Sequence, residues 1–240
     1  MRARFVSFLK SLLGLTVCCC AATCASAQSV VTLSTTAAGD ATYAWNSKYG
    51  PSGYGAGGNS IGVGLQMNAP YGNDYTIAIF MVPLADLAGR PLLSATLHVN
   101  STGFSTGYYY GSANMGWVNP GTATLTGNVV TDGLGPVAAS PAAGWTFFTT
   151  DAGGDDPLAG TAGWREITVT SYIQADLDAG RAFSIFTLNG SRDTYGGIYA
   201  AESGQGAYVS ATVVPEPSTY AALAGALALV VAVWRRRVIA

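Results

Sequence analysis

The sequence SATLHVN at residues 94–100 alternates polar side chains with small or apolar ones. Ala95, Leu97 and Val99 fall on one face of an extended strand, and the polar residues between them fall on the other. This pattern is typical of an antiparallel strand with one face in the core and one in water. Residues 28–213 continue in the same manner, with short apolar or alternating runs between clusters of Gly, Asn, Pro and Asp.

Ten short strands and one short helix are predicted from these runs. The strands are Val30–Ser34, Ser60–Leu65, Thr76–Met81, Ala95–Val99, Ala123–Leu125, Thr146–Thr149, Glu166–Val169, Ala182–Leu188, Gly197–Ala200 and Ala207–Val214. The helix is expected to be capped by Thr170 or Ser171, to place Ile173 and Leu177 on one face, and to end at Gly180. The spacing predicts an all-β antiparallel sandwich of the jelly-roll type over residues 28–213.

The N-terminus has the three parts of a secretory signal peptide. A basic start is followed by an apolar run from Leu12 to about residue 22, and Ala25 and Ala27 form a small-residue cleavage site. Residues 1–27 are therefore expected to be removed by the secretion machinery, which leaves Gln28 as the first residue. The alternatives are a first membrane helix, or lipidation of one of the cysteines.

The positions of the cysteines and of the charged residues characterise the part expected to be exported, residues 28–213. All four cysteines lie within residues 1–27, so the body has no disulfide and no thiol nucleophile. Residues 28–214 carry five basic and twelve acidic side chains, a net charge of −7. Such a surface does not attract nucleic acid or anionic lipid, so neither is an expected partner of the body.

The C-terminal residues 214–240 consist of a breaker, a short apolar run and a basic cluster. Pro215, Glu216 and Pro217 precede the apolar run Ala221–Trp234, and Arg235, Arg236 and Arg237 follow it. Prolines interrupt a helix or a sheet ladder, and the arginines keep their end in the cytoplasm. About 15 apolar residues at ~1.5 Å each fall below the ~30 Å hydrocarbon core, so the run predicts a marginal membrane helix.

This tail resembles the PEP-CTERM sorting signal of Gram-negative bacteria that make exopolysaccharide and biofilm. The resemblance implies an exosortase, a membrane Cys protease-transpeptidase, as a partner. It also implies transient anchoring in the inner membrane, followed by transfer to the cell surface or the extracellular matrix. An ordinary C-terminal membrane anchor is the alternative.

The body resembles the DNRLRE-type domain, a secreted jelly roll related to carbohydrate-binding modules. The resemblance spans residues 38–213 and is carried by Gly39–Ala44, Ile77–Phe80, Ser94–Leu97 and the Trp-led stretch from 164 to 179, with an aromatic strand at the close. Two positions depart from the family pattern: Tyr75-Thr76 and Ala207-Tyr208 stand where an Arg and a Pro-Arg are usual. The resemblance implies a polysaccharide ligand.

No catalytic machinery is predicted. His98 is the only histidine and lies on the polar face of its strand, a position that argues against a nucleophilic triad. No phosphate loop or dinucleotide fingerprint is present. Glycoside hydrolysis needs two carboxyl groups about 5–10 Å apart across a cleft, and the sequence marks no such pair. We expect the protein not to be an enzyme.

Two candidate binding sites follow from local composition. Asp151, Asp155 and Asp156 surround two glycines, an arrangement that suits either a structural Ca²⁺ or a solvated turn. Asp40 with Glu202 is a second option for Ca²⁺ if the ends of the sandwich meet. No other cofactor is expected.

An aromatic cluster is the candidate glycan-binding site. Tyr108, Tyr109, Tyr110 and Trp117 lie in a Gly-, Ser- and Asn-rich stretch, and sugar rings can lie on exposed aromatic faces. The alternative is that these rings pack into the sandwich. Three functions remain open: a polysaccharide-binding surface protein, a purely structural or adhesive one, and, less favoured, a glycan-active hydrolase.

Overall fold

Twelve β-strands in an antiparallel sheet make up most of the chain that the structure describes. The computed structural model describes residues 28–55, 58–68, 71–106, 113–139, 146–148, 162–190, 194–214 and 225–231. The chain divides into two units, one of Val31–Ala211 and one of Met1–Val30 with Thr212–Ala240. The unit Val31–Ala211 is called the body.

The strands are short, apart from three of nine residues or more. They are β1 Ser29–Ser34, β2 Asp40–Asn46, β3 Gly50–Gly55, β4 Ser60–Asn68, β5 Gly72–Pro83, β6 Leu92–Thr106, β7 Ala113–Val118, β8 Thr146–Phe148, β9 Gly163–Thr168, β10 Phe183–Gly190, β11 Thr194–Tyr199 and β12 Tyr208–Val213. Within the described part of the body, the helices are α1 Leu134–Ala139 and α2 Thr170–Asp178, with 3-10 turns at Ala85–Leu87 and Ala201–Ser203.

The sheet curls because its two longest strands change partners along their length. β5 pairs with β4 over residues 72–76 and with β10 over 77–83, while β2 follows its other edge. β6 pairs with β9 over 96–101 and with β11 over 101–106. The resulting order is β1-β12-β6-β11-β4-β5-β10-β7-β8. β4 and β11 therefore connect one layer, containing β6, β9 and β12, to another containing β2, β5, β10 and β7.

The central strands β5 and β10 are buried on both faces. All six residues from Ile77 to Val82 are at most 1 % exposed, and Ser184–Leu188 are fully buried. On the odd-numbered face, Ile77, Ile79 and Met81 form a cluster with β2 side chains and with residues of the loop before α1. On the other face, Phe80 and Phe186 lie paired with ring centroids 6.0 Å apart. Each buried side chain of this size contributes about 1.5–3 kcal/mol, so these strands form the centre of the core.

The predicted all-β fold is confirmed, with differences in particular elements. Ala123–Leu125 is a loop instead of a strand, because the Asp132 carboxylate takes the N–H groups of Thr126 and Gly127 and the Thr126 hydroxyl. β2, β3 and β7 were not predicted. β3 contains three glycines and Pro51, residues that are depleted in strands but tolerated at a sheet edge.

α1 is a second short helix that the sequence did not predict, because it contains Gly135 and Pro136. The glycine is required there, since a Cβ at Gly135 would overlap the ring of Tyr43. Its N–H donates to Tyr54 Oη at 2.7 Å. These contacts hold α1 against β2 and β3.

The predicted helix is confirmed as α2, but its predicted cap is wrong. Val169 is the N-cap and no side chain caps the helix. The Thr170 hydroxyl instead accepts the Ala95 N–H at 2.9 Å and so ties the helix to β6. Gly180 follows the helix with a φ of +66°, as expected for a helix that ends at a left-handed residue.

A buried carboxylate on α2 joins three other parts of the body. Asp176 is 1 % exposed and accepts hydrogen bonds from Trp117 Nε1 at 2.8 Å and from the Ser184 hydroxyl. Arg181 Nη1 completes the set at 2.5 Å. β7, β10, α2 and the turn after α2 are therefore fixed to one another by a single side chain.

We predict that Asp176→Ala lowers the free energy of unfolding by about 3–5 kcal/mol, because it removes the charge that pairs with the mostly buried Arg181 and the acceptor of the Trp117 and Ser184 hydrogen bonds. Asp178→Ala, an exposed position on the same helix, is the control and should change stability by less than ~0.5 kcal/mol. Urea unfolding measures both. Equal stability of the two variants would contradict the role given to Asp176.

Candidate functional site

The outer face of the layer containing β6, β9 and β12 carries a patch of three rings. The His98 and Tyr208 rings are stacked, with centroids 4.4 Å apart and an interplanar angle of 8°. Trp164 meets Tyr208 edge-on at 5.4 Å and is 45 % exposed. We call His98, Trp164 and Tyr208 the aromatic face.

Strand pairing explains why these three rings meet. His98 and Asn100 point to the polar side of β6, and Asn100 pairs with Trp164 in the register between β6 and β9. β12 has buried residues alternating with partly exposed ones, beginning at Tyr208. Because side chains alternate along a strand, the polar side of each strand contributes to one surface.

Polar groups fix and border the aromatic face. His98 Nε2 is hydrogen-bonded to Ser210 Oγ at 2.8 Å, and its Nδ1 lies 3.5 Å from Glu166 Oε1. Asn100 donates to Gln205 Oε1 at 2.8 Å. The histidine side chain is 14 % exposed, whereas that of Glu166 is 71 % exposed. His98 therefore supports the Tyr208 ring, while Glu166 and Trp164 face solvent.

Trp164 and Tyr208 were not predicted from the sequence as binding residues. Each lies at or next to the first position of a strand. In the sequence, both residues served only to support the family resemblance. The available signal was the alternation itself, which puts Trp164, His98 and Tyr208 on the polar sides of their strands. Their meeting depends on the pairing of β6 with β9 and β12, which no local pattern specifies.

The structure places the predicted aromatic cluster only in part. Tyr108, Tyr109 and Tyr110 lie outside the described residues. Trp117 is half-buried, packs against Tyr172 with centroids 5.3 Å apart, and has Arg181 over its ring at 5.8 Å. With its N–H bound to Asp176, Trp117 is engaged in the internal network.

Of the two predicted carboxylate sites, the described residues include one. Asp151, Asp155 and Asp156 lie outside the described residues. Asp40 and Glu202 are brought together beside a cavity of about 280 Å³, which Thr42 and Ser60 also line. Within the described ranges, no three His, Cys, Asp or Glu side chains group together as metal ligands.

Asp40 is the strongly perturbed acid of this cavity. It is 4 % exposed, and its Oδ2 accepts the Ala201 N–H at 2.7 Å. Burial raises the pKa of Asp40 from 3.8 to about 6; the Ala201 hydrogen bond opposes the rise and the Glu202 charge adds to it. The carboxyl therefore ties the start of β2 to the turn before β12, 161 residues away.

The terminal unit is described over a few residues. Of the predicted cleavage site, Ala25 and Ala27 lie outside the described residues, while Gln28 is exposed. Residues 225–231 are helical, and Leu229 and Val230 are 67 % and 64 % exposed. Among the described residues, no helix has the length and apolar character needed to cross a bilayer. Pro215, Glu216, Pro217 and Arg235–Arg237 lie outside those residues.

Comparison with known families identifies the C-terminal segment. Residues 213–237 match the family model of the PEP-CTERM protein-sorting motif. A search of curated proteins finds no significant match. The motif covers the Pro-Glu-Pro element, the apolar run and the arginines, as the sequence predicted.

The chain thus carries the signal of an exported surface protein that an exosortase processes after transient anchoring in the membrane. The motif covers only residues 213–237, so the activity of the body has to be inferred from its own side chains.

We predict that Asp40→Asn stabilises the protein at pH 7 and not at pH 4. Because the pKa is higher in the folded state, ionisation opposes folding: stability is full below pH 3.8 and falls as pH rises through about 6. The loss approaches about 3 kcal/mol. Asparagine keeps an acceptor for Ala201. Thermal unfolding at both pH values measures the effect, with Glu202→Gln as a control that should give a smaller gain. A destabilised Asp40→Asn variant at pH 7 would refute the assignment.

Proposed function

We propose that the body is a non-catalytic module that binds extracellular polysaccharide through the aromatic face. The observation that carries the proposal is the 45 % exposed Trp164, held edge-on against Tyr208 on the outer surface of a sheet. A contiguous exposed apolar patch bordered by polar groups is typical of a binding surface, and Trp164 forms such a patch with Tyr208 and His98. The indole offers a flat apolar surface for the C–H face of a sugar ring.

Neighbouring groups supply the polar part of such a site. The Glu166 carboxylate lies on the exposed side of β9, and the exposed Gln205 amide lies in the connection before β12; both can bond to sugar hydroxyls. Hydrogen bonds fix His98 to Ser210 and Gln205 to Asn100 before a ligand binds. These side chains therefore lose little conformational entropy on binding. An open sheet face suits an extended polysaccharide better than a small enclosed ligand.

The absence of catalysis is part of the proposal. The arrangement that comes nearest to a glycosidase is the Asp40–Glu202 pair, because a raised pKa suits a general acid. However, Asp40 is 4 % exposed and its Oδ2 is bound to a backbone N–H. This geometry supports a structural role for Asp40, at a cavity that shares no residue with the aromatic face.

We predict that Trp164→Ala weakens binding of the polysaccharide secreted by the producing bacterium by about 30-fold. Truncating a central Trp costs about 2 kcal/mol of binding free energy, and 1.4 kcal/mol corresponds to tenfold. Trp164→Phe should retain most affinity because it keeps a ring. Val130→Ala, at an exposed position outside the aromatic face, is the control.

Unchanged affinity of Trp164→Ala in a co-sedimentation assay would remove the aromatic face as the site. Absence of binding by the unaltered protein would favour a structural or adhesive role without a glycan ligand. Asp40→Asn is expected to bind like the unaltered protein.

For the tail, we propose removal near Pro215–Pro217, which places the body in the biofilm matrix. The apolar run is short for a lasting span. Two prolines disfavour a helix at this point of the sequence, and an extended segment is the form of chain that a membrane protease can cleave. The arginines stop translocation and set the depth of the cleavage site.

We predict that the surface form lacks the Arg235–Arg237 end and that Glu216→Ala blocks sorting while membrane insertion persists. Intact-mass spectrometry of protein from native cells, with and without the exosortase, measures both. A surface form that retains the arginines would support an ordinary anchor. Pro217→Ala separates the effect of backbone shape from that of the carboxylate.

A further inference from the structure

The turns at one end of the body present two tyrosines that the aromatic face does not include. Tyr49 lies between β2 and β3, and Tyr71 lies just before β5. Each is 66 % exposed, whereas Trp164 of the aromatic face is 45 % exposed. The two turns are neighbours because Asn46, the last residue of β2, pairs with Asp74 near the start of β5. We call residues 46–49 with 71–74 the tyrosine tip.

Hydrogen bonds make the tyrosine tip rigid. Asn46 Oδ1 accepts the N–H groups of Lys48 and Tyr49 at 2.8 and 2.9 Å, so it fixes the first turn. Its Nδ2 donates to Asp74 Oδ1 at 2.6 Å and to the Tyr71 carbonyl at 3.4 Å, which ties that turn to the second.

A second pair of bonds joins the same two turns. The Ser47 N–H donates to the Asn73 carbonyl at 2.9 Å, and the Asn73 N–H donates to Ser47 Oγ at 2.7 Å. Below the turns, Trp45 and Tyr75 pack with ring centroids 4.9 Å apart. The exposed tyrosines therefore stand on a fixed backbone, and binding need not order a loop.

The chemistry of the tyrosine tip fits a neutral saccharide. Its residues are Asn, Ser, Lys, Tyr, Gly and Asp, without Ala, Val, Leu, Ile or Met. Rings for stacking beside amide, hydroxyl and carboxylate groups match the surface of a sugar, whereas the apolar centre that a protein interface buries is missing. Lys48 and Asp74 give opposite charges, and the body carries −7 overall, which disfavours an anionic polymer.

We propose that the tyrosine tip is a second site for neutral polysaccharide, so that one molecule holds two chains and cross-links them. This rests on the proposed function of the aromatic face. The two surfaces share no residue and no strand: the tip belongs to β2, β5 and their turns, and the face to β6, β9 and β12. Two weak sites on one rigid body raise avidity for a polymer network without any new contact.

The test uses the full chain in mild detergent and the neutral and acidic fractions of the polysaccharide secreted by the producing bacterium. Affinity electrophoresis gives the apparent Kd, and light scattering follows the growth of polysaccharide particles. The variants are Tyr49→Ala with Tyr71→Ala, the ring-retaining Tyr49→Phe with Tyr71→Phe, Trp164→Ala, and Val130→Ala as the exposed control. Melting temperatures confirm that each variant folds.

The expected result is about a tenfold loss of affinity for the neutral fraction in the double alanine variant, with little loss in the double phenylalanine variant. Particle growth should disappear in either the tip variant or Trp164→Ala, since cross-linking needs both sites. If the tip variant behaves like Val130→Ala while Trp164→Ala loses binding, the second site is refuted and the proposed function stands. If only the tip variant loses binding, the aromatic face is refuted, and cross-linking with it.

Discussion

The carboxylate of Asp176 is the constraint on which the arrangement of the body depends. A buried charge is tolerated only when donors surround it, and here an indole N–H, a hydroxyl and a guanidinium meet that need. The three donors come from β7, β10 and the turn after α2. Any shift of one element would leave a buried polar group unpaired, so the network selects one packing of the helix on the sheet. The core alone, formed by interchangeable apolar side chains, would specify that packing less strictly.

How far the fold could be predicted depended on whether local patterns were sufficient. The strand at Ala95–Val99 and the apolar strands β5 and β10 could be predicted, because the burial of a strand's side chains determines which of its positions are apolar. β3 was not visible, since its glycines and Pro51 favour turns and its strand form depends on β2 beside it. The loop that replaces Ala123–Leu125 depends on one carboxylate six residues on, at Asp132. The sorting signal was predictable in full because its elements are contiguous.

The binding surfaces were harder to predict for the same reason. Composition drew attention to Tyr108–Tyr110, where aromatic residues are adjacent in sequence. In the aromatic face, Trp164 and Tyr208 lie far from His98 in the chain and meet only through strand register. The sequence suggested Asp40 with Glu202 only if the two ends of the sandwich meet. The two carboxylates do lie close together. Sequence thus indicated the residue types, and the pairing of strands decided which of them act together.

The place of Tyr208 at the start of β12 has a mechanical consequence. β12 lies between β1 and β6 in the sheet order, and the Tyr208 ring touches His98 of β6 and Trp164 of β9. If the aromatic face binds a polymer as proposed, a pull on that polymer reaches three strands at once. The hydrogen bonds of a ladder are perpendicular to its strands, so the component of the pull along the strands is shared by many bonds instead of falling on one strand end.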